Sequence, residues 1–292
     1  METKINSSES KPENCILCKK SNFGIIHRKS RWTYLRCRDC GLVSLFPKPS
    51  SDEYKTSYDE YLPEEAMEIE KWAKTMEPVI ARSVSLINTG FKDGPGKILD
   101  VGSGYGFFLK AMQLDGWETE GVEISETGRN YAVDKLGLKI YESPLEKLDL
   151  PENSYHVVTL FYVIEHVPDP LELVKKIKRI IKPGGMLLLR WPHTTPIVKM
   201  IGSLSKNFDL YHTPYHLYDF SPRTIKRLLA SCGFLDVETM IGGYTLPSGN
   251  AARLASIMSG KLGELLFSIS GGMILLPGLS KTTIAVKDGR SS

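Results

Sequence analysis

From residue 97 onward, short apolar runs alternate with stretches that are apolar on one helical face only. KILDV reads as a strand that ends in an acid. The glycine-rich GSGYG follows, and a helix opens at about Phe107 and runs to Leu114. ETEGVEIS reads as a second strand, with a helix through about Lys135, and LKIYE as a weaker third strand. VVTLFYV is a buried run. DPLELVKKIKRIIK is an amphipathic helix with Leu171, Val174, Ile177 and Ile181 on one face, stopped by PGG before the strand MLLLRW. FSPRTIKRLLASCGF takes Ser221 as N-cap and Pro222 at the first helical position, and it closes on Gly233. LDVETMI and TTIAVKD supply the last strands. Alternating strands and helices predict an α/β, doubly wound, mostly parallel sheet, with its ligand at the carboxyl ends of the central strands.

Upstream the rhythm differs. Met67, Trp72, Met76, Ile80, Val84 and Ile87 recur at helical spacing over 64–89, and Pro78 is expected to kink or divide that helix. FPKPSSDEYKTSYDEYLPEE reads as linker. Its Tyr54, Tyr58 and Tyr61 would cover a cofactor or, by the plainer reading, pack on the body. Further upstream, FGIIHRKSRWTYLRC alternates as strands do. Between the last two strands lies an apolar, glycine-containing insertion, 243–279, expected either as a lid over a hydrophobic or lipid-linked substrate or as simple packing. Its uncharged run over 265–279 falls short of the roughly 20 residues that span a bilayer. The organisation expected is a disordered tail (1–13), a small ribbon (14–48), linker and helix (49–95), and the α/β body (96–292).

Composition changes this picture little: 41% hydrophobic and 24% charged residues fit an ordinary globular chain. Charge distribution adds more. Residues 1–50 carry ten lysines and arginines against four acids, a net +6, and leave the rest of the chain at −3. A basic face suits phosphate, RNA or membrane, though bound zinc thiolates would absorb part of the charge. The polar opening METKINSSESKPEN has no export signal, so a cytoplasmic location is expected, peripheral to the membrane if the insertion touches lipid. Cysteines there serve as thiols or metal ligands.

Cys15, Cys18, Cys37 and Cys40 form two C-x-x-C pairs separated by 18 residues. That spacing predicts a structural zinc ribbon with a closed tetrahedral site. Trp32, Tyr34 and Ile26 are the candidates to cover the metal. So small a module buries little core, and the metal would supply folding energy. Neither pair precedes a thioredoxin-like helix, which argues against a redox dithiol.

The glycine loop narrows the ligand. A dinucleotide fingerprint needs G-x-G-x-x-G. Gly102 and Gly104 fit, but Phe107 stands in the third place and the next glycine, Gly106, comes one residue early. Asp100 ends the strand where a pyrophosphate would lie, and a carboxylate repels phosphate. Glu123 ends the second strand, placed to take two ribose hydroxyls. A phosphate-free ligand with a ribose and a cationic amino-acid end is S-adenosylmethionine (SAM).

ILDVGSGYGFFL resembles the first motif of class I SAM-dependent methyltransferases. GVEIS resembles their ribose strand, LPENSYHVVTLFYVIEHVPDP their fourth-strand region, and IIKPGGMLLLRWP their fifth. The paired cysteines resemble a branch with an N-terminal zinc ribbon that includes small-molecule and sugar methyltransferases. The resemblance implies a Rossmann-like, seven-stranded sheet. It implies that Asp100, Gly102, Ser103, Gly104 and Gly106 surround the methionine part of SAM and that Glu123 holds the ribose. By the same resemblance Ile124 packs on adenine, Leu145 lies beside it where the family often has an acid nearby, and Phe161 and Tyr162 lie near the methionine end.

Methyl transfer to oxygen or carbon requires loss of a proton. His166 and His216 are the candidate bases, with His193, Tyr211, His212 and Tyr215 as further residues expected to face the acceptor. The expected acceptor is a small molecule: a sugar, a quinone-like compound or a lipid-linked metabolite. An RNA methyltransferase with the basic ribbon gripping RNA is the first alternative. It is disfavoured because LFYVIEH replaces the Asn/Asp-Pro-Pro-aromatic motif used on base amines; DNA is not expected. A non-enzymatic SAM-fold binding protein is the second alternative, opposed by the intact acids and glycines.

Overall fold

The computed structural model describes residues 12–50, 53, 62–91, 94–277 and 279–289. Tyr54, Tyr58 and Tyr61, and residues 1–11 of the expected tail, lie outside the described residues.

The ribbon strands β1 (Phe23–Lys29), β2 (Trp32–Cys37) and β3 (Val43–Phe46) pair antiparallel in that order. The helix α1 (Ala66–Gly90) follows. It continues through Pro78 as one helix, so the proline does not divide it.

The body then alternates as the pattern predicts. It comprises β4 (Lys97–Val101), α2 (Phe107–Leu114), β5 (Glu118–Val122), α3 (Glu126–Leu136), β6 (Lys139–Tyr141) and β7 (Tyr155–Phe161). α4 (Pro170–Ile180), β8 (Ile181–Trp191), α5 (Thr195–Ile201) and β9 (Tyr218–Asp219) come next. α6 (Pro222–Ser231), β10 (Phe234–Met240), α7 (Asn250–Ile269) and β11 (Lys281–Lys287) complete it. The seven-stranded sheet has the order β10-β11-β8-β7-β4-β5-β6. Its core is parallel; β11 runs antiparallel to both β8 and β10. The chain leaves β4 towards β5 on one side and returns to β7 on the other. The crevice at their carboxyl ends is therefore the topological switch point.

Side-chain caps account for some of the helix starts. Asp169 caps α4 by accepting from the backbone N–H of Leu171 and Glu172, each at 3.0 Å. Ser221 and Thr224 form a reciprocal capping box on α6. Two details depart from expectation. α4 ends at Ile180, and β8 already begins at Ile181, running through Pro183, Gly184 and Gly185 with a register shift against β7. PGG therefore lies inside an irregular strand start. The buried face of α4 is Leu173, Val174, Ile177 and Ile180, one position round from the expected stripe.

The ribbon does not stand apart from the body. β9 adds to β3 as the fourth strand of the ribbon sheet. Cys15, Tyr34, Cys37 and Leu45 share one buried cluster with Leu99, Leu160, Tyr218 and Phe220 of the body. The insertion 243–279 holds the 20-residue helix α7. Among the described residues no helix is long and apolar enough to cross a membrane.

Candidate active site

A cavity of about 600 Å³ opens at the switch point. Its floor is the glycine turn. Gly102, with φ +75°, has no room for a side chain: a Cβ would lie 2.4 Å from Val163 Cγ2. Gly104, with φ +53°, has nothing within 4 Å of its missing Cβ and leaves open space on the cavity side. Ser103 Oγ is buried without a hydrogen-bond partner beside them. Gly106 is different: it does not line the cavity. It starts α2 in the left-handed region, where a Cβ would strike Leu138 at 2.5 Å, so its place in the turn is set by packing.

Two acids face this floor. Asp100 accepts a hydrogen bond from the Thr159 hydroxyl at 2.7 Å. Burial pushes its carboxyl up to about 8, the charge of Glu123 adds to the rise, and the Thr159 bond opposes it. Glu123 accepts from Gly104 N–H at 2.6 Å and Ser125 N–H at 2.7 Å, so one carboxylate ties the glycine turn to the start of α3. Burial pushes its carboxyl upward too, against these backbone bonds. Ile124, Leu145 and Phe161 line the same cavity.

Tyr162 also lines the cavity, with φ +58°, an uncommon backbone for a bulky residue. Buried Arg190 over-determines that position. Its Nε donates to the Tyr162 hydroxyl at 2.8 Å, its carbonyl accepts from Tyr162 N–H at 2.8 Å, and Nη1 donates to the Gly242 carbonyl at 2.6 Å. Leu62, Trp72, Met76 and Ile80 form an apolar wall. The last three lie one helical turn apart on α1. Their spacing was legible in the sequence, but the same spacing serves ordinary core packing.

His166 lines the same cavity. Its Nδ1 lies 2.9 Å from the Tyr215 carbonyl. A carbonyl only accepts, so Nδ1 carries the proton and Nε2 is the acceptor nitrogen of the ring. Burial pulls the pKa of His166 down to about 4, leaving it neutral at pH 7. His216 does not line the cavity; its ring packs edge-on against His166, with centroids 4.8 Å apart. Burial, reinforced by the charges of His166 and His212, holds its pKa well below the usual histidine value. Glu165 is buried behind them with neither carboxyl oxygen hydrogen-bonded, and burial pushes it up to about 8. Of the other residues expected to face an acceptor, Tyr215 lines the cavity, whereas Tyr211 stacks on Tyr34 of the ribbon and His193 packs near Trp191.

The four cysteines converge. Cys15 Sγ lies 3.6 Å from Cys40 Sγ, and Cys18 Sγ lies 3.4 Å from Cys37 Sγ. All four sulfurs lie within 4.8 Å of one another. A tetrahedral S4 site with metal–sulfur bonds of roughly 2.3 Å has sulfurs about 3.8 Å apart, so this cluster has the dimensions of a metal site.

Comparison with known proteins bears on the α/β body. A family described as "Methyltransferase domain" matches residues 72–239, more than half of the chain. A ubiquinone biosynthesis O-methyltransferase from Pseudomonas syringae is 30% identical over 172 residues, covering 55% of this chain and 73% of that protein. One of the same name from Acinetobacter baumannii is 28% identical over 131 residues, covering 42% of this chain and 55% of its own. The crystal structure of a SAM-dependent methyltransferase from Archaeoglobus fulgidus superimposes with a TM-score of 0.54 at 23% identity, covering 76% of this chain and 100% of that one. The Haemonchus contortus phosphoethanolamine N-methyltransferase 2, in complex with phosphomonomethylethanolamine and S-adenosylhomocysteine, gives 0.59 at 18% identity, covering 84% and 62%. These two likenesses concern the fold.

Proposed function

The chain belongs to the SAM-dependent methyltransferase family, and on that premise we propose that it methylates a hydroxyl oxygen of an apolar small molecule, quinone-like or lipid-linked. One observation carries the reading: a single cavity joins the acid-and-glycine floor to His166 through an apolar wall.

The floor fits the cofactor. Two buried carboxyls, both pushed upward by burial, gain from a cationic ligand. Unpartnered Ser103 and the open space at Gly104 leave room for its polar part. Asp100, Gly102, Ser103 and Gly104 would hold the methionine end. Glu123 keeps lone pairs for ribose hydroxyls beyond its two backbone donors. Ile124 and Leu145 would flank the adenine, with Phe161 and Tyr162 beside the methionine end. When bound, SAM supplies an electrophilic methyl on a sulfonium.

The chain's own residues do the rest. The wall of Leu62, Trp72, Met76 and Ile80 excludes water and accepts an apolar body. Neutral His166, with Nδ1 committed to Tyr215, takes the hydroxyl proton at Nε2. Oxygen as the methylated atom is favoured by the O-methyltransferase names of the curated relatives. Zinc is proposed for the four-cysteine cluster, with a structural role, since four thiolates leave no open position. The exposed apolar face of α7 is read as the contact with a lipid surface that holds the acceptor.

The test is incubation of the purified chain with methyl-labelled SAM, an alkylcatechol and a cell metabolite extract, followed by mass spectrometry. The expected product is a labelled O-methyl ether of an apolar compound. Label confined to RNA or to polar amines, with SAM bound normally, would overturn the assignment.

A further inference from the structure

We propose that Tyr34, a residue of the cysteine ribbon, is a positioning residue for His166, acting through the 209–218 segment. The inference rests on the base role given to His166 above. The segment lies between the ribbon and the catalytic strand end, and each side holds it separately.

On the ribbon side, Tyr34 is fully buried and stacks on Tyr211 with ring centroids 4.1 Å apart at 19°. Its single hydroxyl proton is shared between the carbonyls of His216, at 3.0 Å, and Tyr211, at 3.3 Å. Lys29 at the end of β1 pairs with Asp209 at 2.7 Å, and Asp209 in turn accepts from Thr213 N–H and its hydroxyl. Leu45 N–H donates to the Leu217 carbonyl at 2.9 Å, leading into the β3–β9 pairing. On the catalytic side, the Glu165 carbonyl accepts from Leu217 and Tyr218 N–H, and the Tyr215 carbonyl accepts from His166 Nδ1.

Tyr215 therefore sits in a short turn whose flanking carbonyls, those of Tyr211 and His216, are fixed by one ribbon hydroxyl. The lever is the carbonyl of Tyr215. Its direction decides which ring nitrogen of His166 carries the proton, and so which one faces the acceptor. Tyr34 is three residues from Cys37 on β2. The cysteine cluster thus braces the strand that carries the positioning hydroxyl. The ribbon's part in the reaction is to present the base, without touching substrate.

Tyr34→Phe keeps the stacked ring and removes only the hydroxyl. The full-length chain, labelled with nitrogen-15 histidine, is examined by long-range proton–nitrogen NMR, with His166→Asn used to assign the His166 signals. Wild type is expected as a single Nδ1–H tautomer at His166, and Tyr34→Phe as a mixture of both tautomers. SAM affinity by calorimetry is expected to stay within about twofold, certifying the fold. With an alkylcatechol as probe, kcat is expected to fall about tenfold with KM little changed, part of the roughly 10²–10⁴-fold that a positioned base supplies. An unchanged His166 tautomer in Tyr34→Phe overturns the proposal. A changed tautomer in a protein that methylates no hydroxylated probe upholds the positioning and overturns the base role.

Discussion

At Asp100, in the proposed cofactor site, ligand binding and stability are expected to oppose each other. Its carboxyl is fully buried and pushed from 3.8 up to about 8. Between those values the folded chain binds a proton that the unfolded chain has lost. Stability is full below 3.8 and falls as pH rises towards 8. A cationic ligand beside Asp100 favours the ionised form, so SAM affinity should rise as pH climbs towards 8. Asp100→Asn removes the titration. Its thermal midpoint is expected to match wild type at pH 4 and to exceed it at pH 8 by several degrees, at roughly 2–4 °C per kcal/mol for larger domains. Its SAM affinity should lose the part of the pH dependence that Asp100 supplies and be at least about tenfold weaker at pH 8, the scale of a lost hydrogen bond to a charged group. Calorimetric scanning and titration at both pH values check this; a variant less stable than wild type at pH 8 refutes it. The position of Asp100 was legible because a strand, an acid and two glycines are consecutive in the chain. That of His216 was not: it looked as eligible as His166, and only the fold places it behind the other ring, off the cavity wall.

At the scale of elements, the alternating strands and helices over 97–191, and the helix and strands at 221–240 and 281–287, were legible because their patterns are local and periodic, whereas α5 and α7 were not read as helices and 243–279 was read only as an insertion. Pairing between distant pieces also escaped. β9 is two residues long, too short for any period, yet it ties the ribbon sheet to the body. The α1 stripe of Trp72, Met76 and Ile80 was visible, but periodicity does not say whether a stripe meets a core or a cavity. The start of β8 was misread because a Pro-Gly-Gly run is a turn signal by composition, and here it forms an irregular strand start instead. The shared sheet has a thermodynamic consequence. A ribbon that folded alone would melt alone when the proposed metal is withdrawn. Here Cys15, Cys37 and Tyr34 belong to the same buried cluster as the body's central strands. Metal binding to the native state alone stabilises everything that unfolds with it. A strong chelator is therefore expected to lower the midpoint of one common transition by about 5 °C or more, consistent with several kcal/mol of metal-linked folding energy. Differential scanning calorimetry decides it: a separate early transition for the ribbon, with the body unmoved, would show the two to be independent.

At the scale of the whole molecule, the least ordinary surface is on α7. Leu254, Met258, Leu262, Leu265 and Ile269 follow one another at spacings of three and four residues, and each is 50–71% exposed. The opposite face packs inward through Gly260, against Tyr244, and Gly263, against Leu279. Met273 and Ile274 extend the apolar surface past the helix end. A contiguous exposed stripe of this length marks an interaction site. For the proposed lipid contact, the charges on α7, Arg253 and Lys261 against the single acid Glu264, are a balance that suits an anionic surface. The segment leading into the helix is also joined to α1, which carries part of the apolar wall. Leu246 N–H donates to the Thr75 carbonyl of α1 at 2.9 Å, and Gly243 abuts Pro78 and Val79. An acceptor leaving the bilayer beside α7 would thus meet the helix that carries Trp72, Met76 and Ile80. The full chain is expected to co-sediment with vesicles containing phosphatidylglycerol and to release them as salt rises. Leu262→Glu with Leu265→Glu should weaken that binding by at least tenfold, since burying one leucine is worth about 1.5–3 kcal/mol. SAM affinity should be untouched, because neither residue lines the cavity. If the chain ignores vesicles and instead forms a dimer that the double variant dissociates, the stripe is a self-association surface and the membrane reading fails.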